Sequence, residues 1–412
     1  MALTDTRVAE LKRLAESERE RRDYPDGFPV LPPLPAARYV DRDFARLEHD
    51  GVFRRSWLMV AHGDQLRQPG DFLLVEQLPE PVLLVRTADG AIKAHYNTCK
   101  HRGAELVDAP CGNAGRRLTC PYHSWVYDLD GRLVGYPDAA DFKALDDRDV
   151  DLTAVRCETW GPLVFINLDP DAAPLAESLE PVWSELGEMA GLDGTLHLAG
   201  VTVREVPVNW KLPVDANIET YHVNTVHRTS AAKVLDQGST GIQLLPNGHS
   251  RMLISVREGV PLTGKMPFPP LFHEVGDLPD SGTFSYHLFP NFSIVFVGKG
   301  FLFLVTNWPI DESMSRYQVH WCSSLSSQDD DGRAANEMFV RFNQEVLFED
   351  LSVLPGLHRS LRSGGITDVN LSYQERRIYH VHEAIDRAIG IELVPGELRV
   401  PSVLGPFVEG AS

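Results

Sequence analysis

Over 412 residues the sequence carries 58 acidic against 39 basic side chains, for a formal net charge of −19 and a pI near 5.2. Such a field repels nucleic acid and anionic membrane surfaces, and suits a basic protein partner or a cationic small molecule. With 43% hydrophobic residues the chain can bury a large core, and no run of about 18 apolar residues offers a membrane span.

The opening stretch, MALTDTRVAELKRLAESERERRDYP, is charged and amphipathic and lacks the apolar centre of a signal peptide, so a cytoplasmic location is expected. The following PDGFPVLPPLPAARYV cannot continue a helix and favours an extended path. Residues 1–52 are therefore expected to form an N-terminal arm and helix packed on another domain. From 53 to 169 the pattern changes to short β-rich runs such as DFLLVEQL, PVLLVRT and GPLVFINLD, punctuated by Pro-Gly and Asp-Gly pairs, as in a compact antiparallel domain. Residues 170–412 mix strands (RMLISVRE, FSIVFVGK, FLFLVTNWPI) with helical stretches (APLAESLEPVWSELGEMAG and DGRAANEMFVRFNQEVLFEDLSVLPGLHRSL), which reads as α+β.

Five cysteines are spread thinly over the chain, so metal ligation is favoured over disulfide pairing. Cys99-Lys100-His101 and Cys120-Pro121-Tyr122-His123 form two Cys/His pairs on what read as two loops of the β domain. Two thiolates can hold one iron and two imidazoles the other, the ligand set of a Rieske [2Fe–2S] centre. Tetrahedral zinc also takes two Cys and two His, but zinc spacing usually pairs like ligands, whereas here each pair is mixed. Cys111, Cys157 and Cys322 are left as ordinary buried thiols.

The segment VNWKLPVDANIETYHVNTVHRTS supplies Glu219, His222 and His227. Glu219 and His222, three apart, share a face of a helix, but His227 lies about 140° round from His222, so one metal could hold both only if the helix breaks near residues 224–226. Two imidazoles and a carboxylate make the facial triad of non-haem Fe(II) oxygenases. The carboxylate is expected from a distant amphipathic helix, with Asp350 the candidate and Glu349 the neighbour that competes with it. Among later aromatics, Phe284, Tyr286, Phe289, Phe292, Phe296, Phe301, Phe303 and Trp308 are expected mostly to pack a core, some lining an apolar pocket.

The cluster segments AHYNTCKHRGAEL and LTCPYHSWVYDLDGRLVGYP, the upstream FRRSWLMVAHGDQLRQPGDF, the NWK segment and the late Asp helix together resemble the catalytic (alpha) subunit of Rieske non-haem iron oxygenases. The resemblance implies a Rieske domain joined to a helix-grip (START-like) catalytic domain with a broad antiparallel sheet and long helices, assembled head to tail as a homotrimer. It also implies that Glu219 is a bridging carboxylate, linking His222 to cluster ligand His123 of a neighbouring subunit. Glu at that position, in a segment one residue shorter than in many ring dihydroxylases, resembles the branch acting on betaines, choline or carnitine. The Glu-Asn pair often found there is Asp215-Ala216 here, with Asn217 one place later.

The expected activity is that of an oxygenase component hydroxylating or dihydroxylating an aromatic or related small molecule with O₂. Its electrons come from a separate NAD(P)H-dependent reductase or ferredoxin, since no dinucleotide-binding glycine fingerprint is present. Oxidative N- or O-dealkylation, quaternary ammonium compounds included, is the alternative. A Rieske electron carrier is a third reading, against which Glu219, His222, His227 and Asp350 argue.

Overall fold

The computed structural model describes residue 3 and residues 5–145, 149–187, 194–260 and 268–410. The chain divides into two compact units, Trp57–Ala172 and a second formed by Met1–Ser56 with Ala173–Ser412. Among the described residues no helix is long and apolar enough to cross a membrane.

The larger unit is built on seven strands: β1 (His197–Val206), β2 (Leu235–Leu244), β3 (Ser250–Val256), β4 (Gly282–Leu288), β5 (Phe292–Phe296), β6 (Phe301–Pro309) and β7 (Ser315–Ser323). They pair antiparallel in the order β1-β7-β6-β5-β4-β3-β2. Strand β6, FLFLVTNWP, is buried along nearly its whole length, which suits its aromatic and β-branched content to the middle of a covered sheet. Helix α1 (Asp5–Glu20) lies on β2, burying Val8, Leu11 and Ala15. The close approach is possible because position 241 is glycine: a Cβ there would stand 2.5 Å from the Leu11 carbonyl oxygen.

Helix α2 (Lys211–Ile218) carries Pro213 within its first turn, where the missing N–H has no intrahelical role. It is followed by the short α3 (Val223–Val226). The long α4 (Asp330–Arg362) begins at Asp329, whose carboxylate accepts the Gly332 N–H at 2.7 Å. Its buried positions Leu347, Asp350, Leu354, His358 and Leu361 recur every three or four residues, and the three leucines join Phe301, Phe303, Val319 and Trp321 in one core cluster. Helix α5 (Arg376–Ile389) is buried on most sides. The stretch APLAESLEPVWSELG, expected as part of one helix, instead forms two short turns, Leu175–Ser178 and Val182–Leu186, separated at Pro181, which cannot donate a helical hydrogen bond; the end of that expected helix, residues 188–191, lies outside the described residues.

A buried ion pair ties the 36–53 segment to α2. Lys211 Nζ lies 2.7 and 2.8 Å from the two Glu48 carboxylate oxygens, and the Trp210 indole N–H donates to Glu48 at 3.1 Å. Glu48→Ala would strand the Lys211 ammonium in the core and should cost about 3–5 kcal/mol, read from denaturant unfolding. An unchanged midpoint would show that the pair contributes nothing net.

The smaller unit holds a seven-stranded antiparallel sheet and a three-stranded one formed by Arg117–Thr119, Val126–Asp128 and Leu133–Gly135. Phe72, Leu83, Leu106, Leu118, Trp125 and Tyr127 pack with Cys99 and Cys120 in its core. The hairpin at Asp130-Gly131 turns through Gly131 at φ +89°, and a Cβ there would meet the His95 ring at 2.6 Å, so glycine is required twice over. Cys322 is buried, but Cys157 is only partly so and Cys111 is exposed, contrary to expectation, because it sits on a three-residue edge strand with no covering layer.

Candidate metal centres

In the smaller unit two loops have the same backbone design. Cys99 N–H donates to Ala104 O and Gly103 N–H to Cys99 O; Cys120 N–H donates to Trp125 O and Ser124 N–H to Cys120 O. The fourth residue after each cysteine has positive φ, +81° at Gly103 and +58° at Ser124. Both loops therefore present a buried thiol at the base and an imidazole nearer the rim. His101 and His123 face each other, Nδ1 to Nδ1 at 3.1 Å, and the His101 ring stacks on Trp125 at 5.0 Å and 6°. The Tyr127 hydroxyl lies 3.4 Å from Cys99 Sγ, a polar contact of the kind that tunes a cluster sulfur. Paired thiols within and paired imidazoles without fit a two-iron cluster with unlike ends. His101→Cys would replace a neutral ligand by an anionic one and should lower the potential of the cluster by roughly 100 mV or more in a redox titration; an unchanged potential would take His101 off the ligand set.

In the larger unit the helix breaks earlier than expected. Helix α2 ends at Ile218, Glu219 is extended at φ −128° and ψ 172°, and helical structure resumes at Val223. The interruption therefore falls at 219–222 and not at 224–226. It is held by Glu219 itself, whose carboxylate accepts the backbone N–H of Tyr221 and the Nδ1–H of His222. These local bonds replace the helical ones that residues 219–222 forgo.

The outcome is a tight triangle. His222 Nε2 and His227 Nε2 are 3.2 Å apart, and Asp350 Oδ1 lies 3.3 Å from the first and 3.0 Å from the second. Cis ligands about 2.1 Å from one metal stand about 3.0 Å apart, so these atoms match one face of a coordination sphere with the opposite face open. Asp350 Oδ1 is buried and has no polar partner besides the two imidazoles it faces, as a ligand oxygen should. Burial pulls His222 down, but Asp350 and Glu219 outweigh it and raise it to about 10. His227 is likewise raised against burial by Asp350 and Glu349. Carboxylates crowded round two imidazoles make a site that demands positive charge, which a metal supplies on displacing the protons.

Glu349, the competitor of Asp350 in sequence, faces another way. Its Oε2 accepts the Nδ1–H of His227 at 2.7 Å and the Ser230 hydroxyl. Each imidazole thus gives one nitrogen to a glutamate and turns the other inward, the arrangement that fixes tautomer and orientation at metal sites. The partnership of Glu349 with His227 was not anticipated from sequence. The signal lay in the α4 periodicity: Asp350 occupies the buried stripe of Leu347, Leu354 and Leu361, and Glu349 does not.

A cavity of about 250 Å³ opens beside the triangle. Phe296 and Phe303 line it, as do Phe339 and Phe342 of α4, while Phe284, Tyr286, Phe292, Phe301 and Trp308 are packed in the core. Phe339 and Phe342 follow the helical spacing that leads to Asp350, a pattern readable in advance but read only as helix.

The geometry defines a protein with an electron-transfer cluster domain and a separate mononuclear metal domain. Residues 56–147 match the Rieske [2Fe-2S] domain family, and residues 192–391 match the family described as ring hydroxylating alpha subunit (catalytic domain). The chain belongs to the Rieske oxygenases as a catalytic subunit, with the cluster and mononuclear iron characteristic of that family. It is 27% identical over 338 residues to the carnitine monooxygenase oxygenase subunit of Acinetobacter pittii, covering 81% of this chain and 86% of that one. With a benzene 1,2-dioxygenase alpha subunit of Pseudomonas putida it shares 35% over 196 residues, covering 47% of this chain and 43% of the relative. Its fold matches a quaternary ammonium Rieske monooxygenase (TM-score 0.74, 23% identity, 89% and 99% covered). A naphthalene 1,2-dioxygenase from Rhodococcus sp. matches with a TM-score of 0.72 at 19% identity, covering 95% and 100%.

Proposed function

We propose that Cys99, His101, Cys120 and His123 hold the [2Fe–2S] cluster and that His222, His227 and Asp350 hold the iron. Glu219 then links His222 to His123 of a neighbouring copy in a head-to-tail homotrimer, in the cytoplasm, supplied with electrons by a ferredoxin or flavin reductase. The iron, when bound, supplies the activation of O₂. The protein's own part is to leave one face of the site open onto an apolar cavity, to hold both imidazoles by Glu219 and Glu349, and to keep bulk water from the reacting bond.

The reaction proposed is oxidative N-dealkylation of an alkylammonium compound. Ring hydroxylation, placed first by the sequence, becomes the second reading. The observation carrying the choice is the cavity lining. Four phenyl rings surround it, its one ionisable lining residue besides the triad of His222, His227 and Asp350 is the carboxylate Glu219, and among the described residues no lysine or arginine lines it. A quaternary nitrogen is attracted by aromatic faces by about 0.5–2 kcal/mol, and on the phenyl-lined side no lysine or arginine opposes it. The long coverage of the carnitine monooxygenase subunit supports the same reading, whereas less than half of the benzene dioxygenase subunit is covered. The balance is R–H + O₂ + 2e⁻ + 2H⁺ → R–OH + H₂O at the carbon next to nitrogen. The resulting carbinol then breaks its C–N bond to give an aldehyde, an amine and a proton.

The test is a single turnover of the reduced, metal-loaded protein with O₂ and a panel of alkylammonium compounds, with and without a carboxylate, beside simple arenes. Aldehyde and amine in equal amounts are expected from an alkylammonium compound. A diol from an arene, with the ammonium compounds untouched, would establish ring dihydroxylation instead.

A further inference from the structure

A second cavity, of about 200 Å³, shares Glu219, His222 and Asp350 with the first and is otherwise lined by Tyr39, Asp215 and Glu375 among others. Asp215, on α2, is 9% exposed; its Oδ2 accepts the Tyr39 hydroxyl at 2.8 Å, and its Oδ1 is buried without a partner. Behind it runs a chain of buried donors. Arg38, paired with Asp386 at 2.7 Å, gives its Nε–H to His382 Nδ1 at 2.9 Å, and His382 Nε2 lies 3.0 Å from the Tyr39 oxygen. Arginine can only donate, so His382 Nδ1 must accept and its proton sits on Nε2. That proton is directed to the Tyr39 oxygen, which leaves the Tyr39 proton for Asp215 Oδ2. An acid proton on Asp215 can then reside only on Oδ1, the carboxylate oxygen left without a partner on a side chain that lines the second cavity.

We propose that Asp215 is the proton-holding group of the oxygenase reaction, delivering from Oδ1 one of the two protons that reduction of O₂ consumes. The proposal rests on the oxygenase reading of the adjacent triad. On delivery the Oδ1–H bond breaks and the carboxylate is left with the Tyr39 hydrogen bond; water entering by the second cavity, past the half-buried Glu375, restores the proton. The groups facing Asp215 are Tyr39 from the 36–39 segment, Lys211 on its own helix, Glu219 after it and Glu375 before α5, with Arg38, Glu48, His382 and Asp386 one bond further back. Burial outweighs the Tyr39 hydrogen bond and the Lys211 charge, with Glu219 and Glu375 adding to it, and pushes Asp215 up to about 8. Burial, with the Arg38 and Lys211 charges, also keeps His382 neutral.

The first readout is independent of turnover. Infrared difference spectra of the holoprotein, wild type minus Asp215→Asn, should show a protonated carboxyl at pH 7 that disappears as pH rises through about 8. The stability of the wild type should also decline between the ordinary aspartate range and about pH 8, because the folded state keeps a proton that the unfolded state releases; Asp215→Asn should lack that decline. In turnover, Asp215→Asn should retain both metals and normal cluster reduction, lose roughly tenfold or more in kcat with KM unchanged, and lose the alkaline limb of the pH profile, as expected for a missing proton donor. Tyr39→Phe should keep the carboxyl band and shift it. An ionised Asp215 at pH 7, or wild-type kcat and pH profile in Asp215→Asn, would overturn the proposal. A protein that shows the band but turns over no substrate in either form would count against the oxygenase reading while leaving the proton assignment standing.

Discussion

Asp350→Ala should empty the mononuclear site while leaving the colour and reversible reduction of the cluster intact, with product formation falling more than about 100-fold. The reason lies in the 3.0 and 3.3 Å distances from Asp350 Oδ1 to His227 and His222, which make it the third corner of the triangle. Glu349→Ala is the matched control. It removes the acceptor of the His227 Nδ1–H without touching the open face, and outer partners of this kind usually cost about 10–100-fold in metal affinity or activity. Iron content, measured on both variants after equal reconstitution, should therefore be near zero for Asp350→Ala and restorable by excess iron for Glu349→Ala. The reverse order would make Glu349 the ligand.

Glu219→Ala should keep both metals and accept electrons at the cluster normally, yet lose coupled turnover by about 10–100-fold. Glu219 meets the triad through the outer nitrogen of His222 and fixes the backbone at Tyr221, so its loss leaves His222, His227 and Asp350 in place but frees one ring. The informative measurement is re-oxidation of the reduced cluster on adding O₂ and substrate. A bridging carboxylate predicts that this step slows while reduction by the donor does not. If both steps kept wild-type rates, the carboxylate would be a local clamp and nothing more.

Much of this was legible in the chain itself because the chemistry is concentrated in short segments. The mixed Cys/His pairs at 99–101 and 120–123 define an unusual ligand set, and each reads from a handful of adjacent residues. The position of the helix interruption was not legible. It depends on the Glu219 side chain satisfying nearby backbone N–H groups, a bond available only once the segment has left the helix. The choice between Asp350 and Glu349 could have been made by extending the leucine stripe of α4 across them. The Arg38, Tyr39, Asp215 and His382 chain could not have been foreseen, since the adjacent Arg38 and Tyr39 meet Asp215 from 176 positions away and His382 from 344, and nothing local marks them as neighbours.

The strand β2 has consequences for how the chain stays apart from its own copies. It is an end strand of the larger sheet, and an open end strand is a template on which another molecule can build. Here α1 and the segment at Glu409 stand guard over it: α1 lies across it, the Ser239 hydroxyl reaches the Ala15 carbonyl at 3.0 Å, and Glu409 gives its backbone N–H to the Leu244 carbonyl at 2.9 Å. Arg7 of α1 in turn pairs with Glu409, so the two guards are latched together. A chain lacking α1 or the Glu409 segment would present a bare, sticky margin with residues 99–123, 219–227 and 350 untouched, and its shortcoming would be clumping in solution before any loss of chemistry.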